Sequence, residues 1–191
     1  GPSEVVIVAD RGARADWIAL DLLAQAEHDP LAKSILLSDS EELLVAVKKK
    51  VEREWANNPL ERVVPVYLYQ LEDLDLAWKI VEVIAPEHLE VMVPLGSEVM
   101  DKAKNAGAFF IGPYAPVALG DYGYGPNHVL PTQGSSRFAS PLSVRDFMIA
   151  SSVVAPSSDP DIDFELFAKL AAREGLYFHQ KSLLARLSRE L

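Results

Sequence analysis

Four histidines, His28, His88, His128 and His179, carry most of the proton and metal chemistry this chain can offer at neutral pH. Imidazole titrates near neutrality and is the commonest metal ligand, so the neighbours of these four define the candidate sites. In "QAEH", Gln25 and His28 stand three apart. On a helix that spacing sets an amide oxygen and an imidazole on one face, a pair able to hold a divalent metal. A histidine at a helix end also serves as a cation that complements the helix dipole, and this stretch alone leaves both readings open. In "PEHL", Glu87 and His88 are adjacent. They are proton acceptors of different strength, which suits a reaction with two separate deprotonations, although the same pair also makes an ordinary loop ion pair.

"GDYGYGPNH" carries Asp121 and His128 among glycines that bend the backbone. It is not a dinucleotide fingerprint, because it does not run from a strand into a helix and Pro126 and the tyrosines interrupt it. "EGLYFHQ" brings Glu174 and His179 near the end of the chain, and Ser3 lies beside the first apolar run. Alone, these three positions read as plain surface.

The elements that must position these residues alternate regularly. "EVVIVAD", "SILLS", "VVPVYLY", "LEVMV" and "GAFFIG" are short apolar or β-branched runs that predict strands, the third with a proline suited to a sheet edge or an irregular start. Between them, "WIALDLLAQAEH" after Asp16, "EELLVAVKKKVEREW" after an N-capping Ser40, "LEDLDLAWKIVEVI" up to Ala85-Pro86, and "GSEVMDKAKNA" predict helices. Strand and helix in alternation predict an α/β domain over residues 1–142 with a doubly wound, mainly parallel sheet. In such sheets ligands are expected beyond the carboxyl ends of the strands. Residues 112–141 are rich in Gly, Pro and Ser, and a connection this long inside a domain predicts an ordered functional loop, with Phe138, Val129, Leu130 and three tyrosines as anchors. Residues 143–191 predict a small helical tail from "LSVRDFMIASSVV", "DIDFELFAKLAAREG" and "LYFHQKSLLARLSREL".

Composition narrows the partners. Across 191 residues the net charge is -10, with 49% hydrophobic and 24% charged residues, the balance of a folded domain and not of a nucleic-acid or anionic-membrane binder. No run approaches the ~20 apolar residues of a membrane span. The absence of cysteine excludes disulfides and thiolate metal sites and agrees with a cytoplasmic location. The chain opens almost directly on a buried-strand pattern without an initiator Met, which predicts a piece of something longer.

Taken together, "GPSEVVIVAD", "DLLAQAEHDP", "APEHLEVM", "GDYGYGPNHVLPT" and "EGLYFHQKSL" resemble, in order and spacing, the carboxyl-terminal part of histidinol dehydrogenases. That resemblance implies a partial Rossmann-like fold followed by a dimer-crossing tail. It implies zinc held by Gln25, His28, Asp121 and His179, one ion per site, and a substrate, L-histidinol, contacted by Ser3, Gln25, His28, His88, Asp121, His128, Glu174 and His179. His88 is implied as the general base of alcohol oxidation and Glu87 as the group that activates water for the aldehyde stage. The family reaction takes L-histidinol to L-histidine with reduction of two NAD, in histidine biosynthesis. NAD is implied to be held by an amino-terminal part that the resemblance does not include, and Glu174 and His179 to complete the site of a homodimer partner. The alternative is a metal-binding or dimerisation fragment, or a short paralogue, with no activity of its own.

Overall fold

The computed structural model describes residues 2–57, 65–156 and 161–187, which divide into two compact units, Gly1–Met148 and Ile149–Leu191. In the first, strands and helices alternate as β1 (Glu4–Ala9), α1 (Ala15–Ala26), β2 (Lys33–Ser38), α2 (Glu41–Ala56), β3 (Val66–Gln70), α3 (Leu74–Ile84), β4 (His88–Met92), α4 (Val99–Lys102) and β5 (Ala108–Ile111). The strands form one parallel sheet in the order β3-β2-β1-β4-β5. The chain therefore winds outward from β1 to β3, then returns to the other side of β1 to add β4 and β5. This doubly wound path places α1 and α2 against Val5 and Ile7 on one face. It places α3 and α4 against Val6 and Val8 on the other. Covered on both faces, β1 is buried along its whole length, which is why its sequence is a continuous apolar run after Glu4. Pro65 immediately precedes β3, an edge strand, where a missing N–H costs no central ladder bond. Residues 63 and 64 of the expected third strand lie outside the described residues.

Local chemistry sets most helix ends. The Ser40 hydroxyl accepts the Leu43 N–H at 3.2 Å, and the Asp73 carboxylate accepts the Leu76 N–H at 2.9 Å. Helix α3 stops at Ala85, in the left-handed region at φ 48°, ahead of a proline that disfavours helix in the residue before it. Asp16 is not a cap. It lies inside the first turn of α1 and pairs with Arg14, the N-cap, at 2.6 Å.

Two predicted helices are largely absent. "GSEVMDKAKNA" forms a 3-10 turn, Gly96–Glu98, and the single turn α4, because Glu82 captures the next donors: Lys104 N–H at 2.6 Å, Asn105 N–H at 3.2 Å and Asn105 Nδ2 at 2.6 Å. Burial would raise the Glu82 pKa, but those donors outweigh it and hold the carboxyl below its usual value. In "LSVRDFMIASSVV" only a 3-10 turn, Val144–Phe147, forms, with a Ser143–Asp146 capping box. Phe147 and Met148 remain exposed, so the helical pattern has no surface to bury and propagation is not supported.

The second unit is a helical hairpin, α5 (Phe164–Arg173) and α6 (Tyr177–Leu184), turned at Gly175, whose φ is 75°. Asp163 caps α5 through the Leu166 N–H at 2.9 Å. Residues 188–191 of the expected last helix lie outside the described residues. Among the described residues no helix is long and apolar enough to cross a membrane.

Candidate active site

Most of the candidate residues of the first unit gather at the amino-terminal edge of the sheet, not beyond its carboxyl ends. His88 is the first residue of β4 and Glu87 precedes it; Ser3 precedes β1. Helix α1 starts after β1 and ends at Ala26, before β2, so its last turn returns Gln25 to the same edge, while His28 lies two residues past the helix end, and the expected pairing of the two on one helical face does not form. A parallel strand–helix repeat always brings helix ends and strand beginnings together in this way. The rule that ligands sit at the carboxyl ends concerns the opposite edge.

Glu4 holds Glu87 and His88 in place. Its backbone N–H donates to Glu87 Oε2 at 2.9 Å, and its carbonyl accepts from His88 Nδ1 at 3.0 Å. A carbonyl only accepts, so the proton of the neutral imidazole is on Nδ1 and the lone pair on Nε2. His88 Nδ1 lies 3.5 Å from Glu87 Oε2, with the two side chains 11% and 7% exposed. Burial pulls the His88 pKa below its ordinary value, against the opposing charge of Glu87, the Glu4 hydrogen bond and the charge of Asp121; His28 lowers it further. His88 is thus a neutral base at pH 7 with His28 and Asp121 in electrostatic reach. The clamping residue itself carries no motif. A glutamate opening an apolar strand reads as a solvated end, yet Glu4 is buried and its carboxylate spans Lys33 Nζ at 3.1 Å and the Gln133 N–H at 3.1 Å.

Residues 112–141 form a strap pinned along the sheet, but not by the anchors expected of it. Val129, Phe138 and the tyrosines at 114, 122 and 124 are exposed, and only Leu130 is half-buried. Val117 joins the core with Ala115 against it, and the other fastenings are glycines and polar groups. A Cβ on Gly120 would lie 2.9 Å from the Phe110 ring, and that ring packs on His88 with centroids 5.9 Å apart. Asp121 follows at once and is thereby delivered towards His88. Further on, the strap crosses Gly107, where a Cβ would meet the Glu87 carbonyl at 2.6 Å and that of Pro131 at 3.1 Å. It is then tied by Gln133 to Glu4, by Ser136 Oγ to the Ala85 carbonyl at 3.0 Å and by Arg137 to the Glu82 carbonyl at 3.0 Å.

The residues expected to hold a metal are less complete as a group. Gln25 is buried and its Nε2 has no hydrogen-bond partner among the described residues. His28, Asp121 and His128 are exposed. Among the described residues no three His, Asp or Glu side chains are grouped to hold an ion. In the second unit, His179 stands on α6 and Glu174 ends α5, both exposed.

The family model described as histidinol dehydrogenase matches residues 1–187. The chain belongs to the histidinol dehydrogenase family. It is 46% identical to the histidinol dehydrogenase of Aquifex aeolicus over 97% of this chain and 45% of that protein. To that of Carboxydothermus hydrogenoformans it is 42% identical over 100% of this chain and 46% of that protein. The crystal structure of histidinol dehydrogenase from Elizabethkingia anophelis superposes with a TM-score of 0.89 at 30% identity, over 98% of this chain and 45% of that one. The chain therefore spans somewhat under half the length of the histidinol dehydrogenases it matches.

Proposed function

We propose that this chain supplies the metal- and substrate-holding part of a histidinol dehydrogenase that oxidises L-histidinol through histidinal to L-histidine with two NAD. Beyond family membership, the reading rests on the clamp at Glu4, which supports a neutral histidine with its Nε2 lone pair free beside a buried carboxylate. His88 Nε2 takes the hydroxyl proton of the alcohol in the first oxidation. Glu87 then takes a proton from water, whose oxygen adds to the aldehyde carbon; the former carbonyl oxygen regains a proton from the protonated Glu87, and the resulting hydrate has a hydroxyl for the second oxidation. Gln25, His28 and Asp121, with His179 from a second copy, are the proposed zinc ligands, an N/O set of the kind zinc accepts. The buried, unpartnered Gln25 amide fits this role, because turning it presents Oε1 where Nε2 now stands. When bound, zinc would hold the amino and imidazole nitrogens of the substrate, and NAD, placed by the resemblance on the other part of the longer protein, would accept hydride. Ser3, His128 and, from the second copy, Glu174 face the substrate. The working form is a cytoplasmic homodimer.

The test is NADH formation from L-histidinol with zinc present. A protein extended to the length of its relatives should turn over, and the 191-residue chain alone should bind zinc without family-like turnover. Robust NADH from the chain alone would replace this reading with a minimal enzyme. No turnover from the extended protein would leave the alternative, a binding or dimerisation module.

A further inference from the structure

One buried polar contact of the first unit has no part in the proposed mechanism. Glu90 lies in the middle of β4, in register with Ile7 of β1 and Phe110 of β5, both apolar. It is 0% exposed, and among the described residues neither of its carboxyl oxygens meets a donor. Ile7, beside it, packs under Ile18 and Leu22 of α1, so Glu90 lies beneath that helix, where its neighbour is Asp21, another carboxyl group. Asp21 is half-buried and Glu90 fully buried; two facing acceptors attract only when one of them carries a proton, and a charged Glu90 would be repelled by Asp21 with no water to solvate it. Burial raises both pKa values. Glu90 rises the further, because the charge of Asp21 and their hydrogen bond add to burial there, whereas the same bond lowers Asp21. The proton accordingly belongs to Glu90, which donates it to Asp21.

The position of this contact gives it a use. Asp21 is one helical turn before Gln25, on the same stripe of α1. Glu90 is two residues after His88, on the same face of β4. The other attachments of α1 to this face, Ile18, Ala19 and Leu22, are apolar and do not fix direction. The Gln25 amide N–H₂ has no hydrogen bond of its own to aim it, so its direction is inherited from the rotation of the helix. We propose that the buried Glu90 and the half-buried Asp21 form an acid–carboxylate pair that locks α1 against β4 and thereby positions Gln25 for the metal. The metal half of this proposal rests on the reading of Gln25 as a ligand. Asp21 and Glu90 are positioning residues. They touch neither metal nor substrate.

The test combines infrared spectroscopy and zinc titration on the purified protein. At neutral pH the wild type should show the C=O band of a protonated carboxyl group in an apolar setting, and Glu90→Gln should remove it. Glu90→Gln keeps a donor for Asp21, so its zinc affinity should stay within a few-fold of wild type. Glu90→Leu removes the bond, and zinc affinity should fall on the order of 10- to 100-fold, the range seen when outer-shell partners of a metal site are lost. Circular dichroism identifies whether Glu90→Leu is folded. If it is not, the band and the Glu90→Gln titration still decide. Absence of the band, or a Glu90→Leu protein that is folded and binds zinc as wild type does, would overturn the proposal. A wild type that shows the band but takes up no zinc would instead remove the ligand reading of Gln25, and with it the positioning half.

Discussion

His88 and Glu87 differ in what their surroundings ask of them, and their substitutions should separate. Replacing His88 with Asn removes the Nε2 base and should slow the oxidation of alcohol to aldehyde by roughly 10²- to 10⁴-fold. Glu87→Gln should spare that step and impair conversion of aldehyde to acid; assays started from histidinol and from histidinal read the two steps apart. Equal, small effects on both would return the pair to a structural role. The pH dependence has a definite sign. The folded-state pKa of His88 is depressed below 6.5, chiefly by burial. The stability it contributes is therefore present above the unfolded value and is lost as pH falls through the folded value. The acid limb of kcat/KM for the first oxidation should accordingly lie below 6.5. Glu87 opposes that depression, so in Glu87→Gln the same limb should move further to the acid side. A limb above 6.5 in the wild type would contradict the assignment. Glu90 carries the opposite sign: its pKa is raised in the folded chain from 4.5, so its contribution erodes as pH rises above that value. The melting temperature of Glu90→Gln, measured against wild type, should gain with increasing pH.

Elements position this chemistry through close approaches more than through apolar anchors. Gly120 lies against Phe110, and Phe110 lies against His88. Gly120→Ala places a Cβ 2.9 Å from the Phe110 ring, which is itself nearly buried. Either the ring or the strap must shift. Overpacking of this kind typically costs about 1–3 kcal/mol. The expected outcome is a lower melting temperature together with weaker zinc binding, since Asp121 is the next residue. A change in stability with zinc affinity intact would show that the strap does not set Asp121. Element length follows the same logic: α4 stops where Glu82 takes the N–H groups of Lys104 and Asn105, which a helical pattern in isolation would have kept.

At the scale of the whole molecule, the proposed site is divided, with Gln25, His28 and Asp121 in the first unit and Glu174 and His179 in the second. If the second copy completes each site, His28→Ala and His179→Ala proteins should each be inactive at full length, and mixing them with subunit exchange should restore part of the activity. The mixed dimer has one site carrying both changes and one carrying neither. No recovery from a mixture shown to exchange subunits would place all four ligands within one copy.

The periodicity of the chain was enough to specify the doubly wound parallel sheet, because strands covered on both faces read as unbroken apolar runs and the helices between them carry apolar stripes. The motifs around Gln25, Glu87, His88 and Asp121 were legible as well, since titratable residues in glycine- or proline-bounded contexts stand out locally. What the tertiary structure decided was every relation between distant positions. The amino edge as the meeting place of Ser3, Gln25 and His88 follows from how strand and helix alternate in space. Glu4 opens one apolar run and Glu90 stands inside another, and only the fold shows the first clamping Glu87 and His88 across 83 and 84 positions of sequence and the second buried beside the half-buried Asp21. A local pattern records which face of an element is apolar. It holds no record of which acid will lose its water, because desolvation depends on what the other elements bring against it.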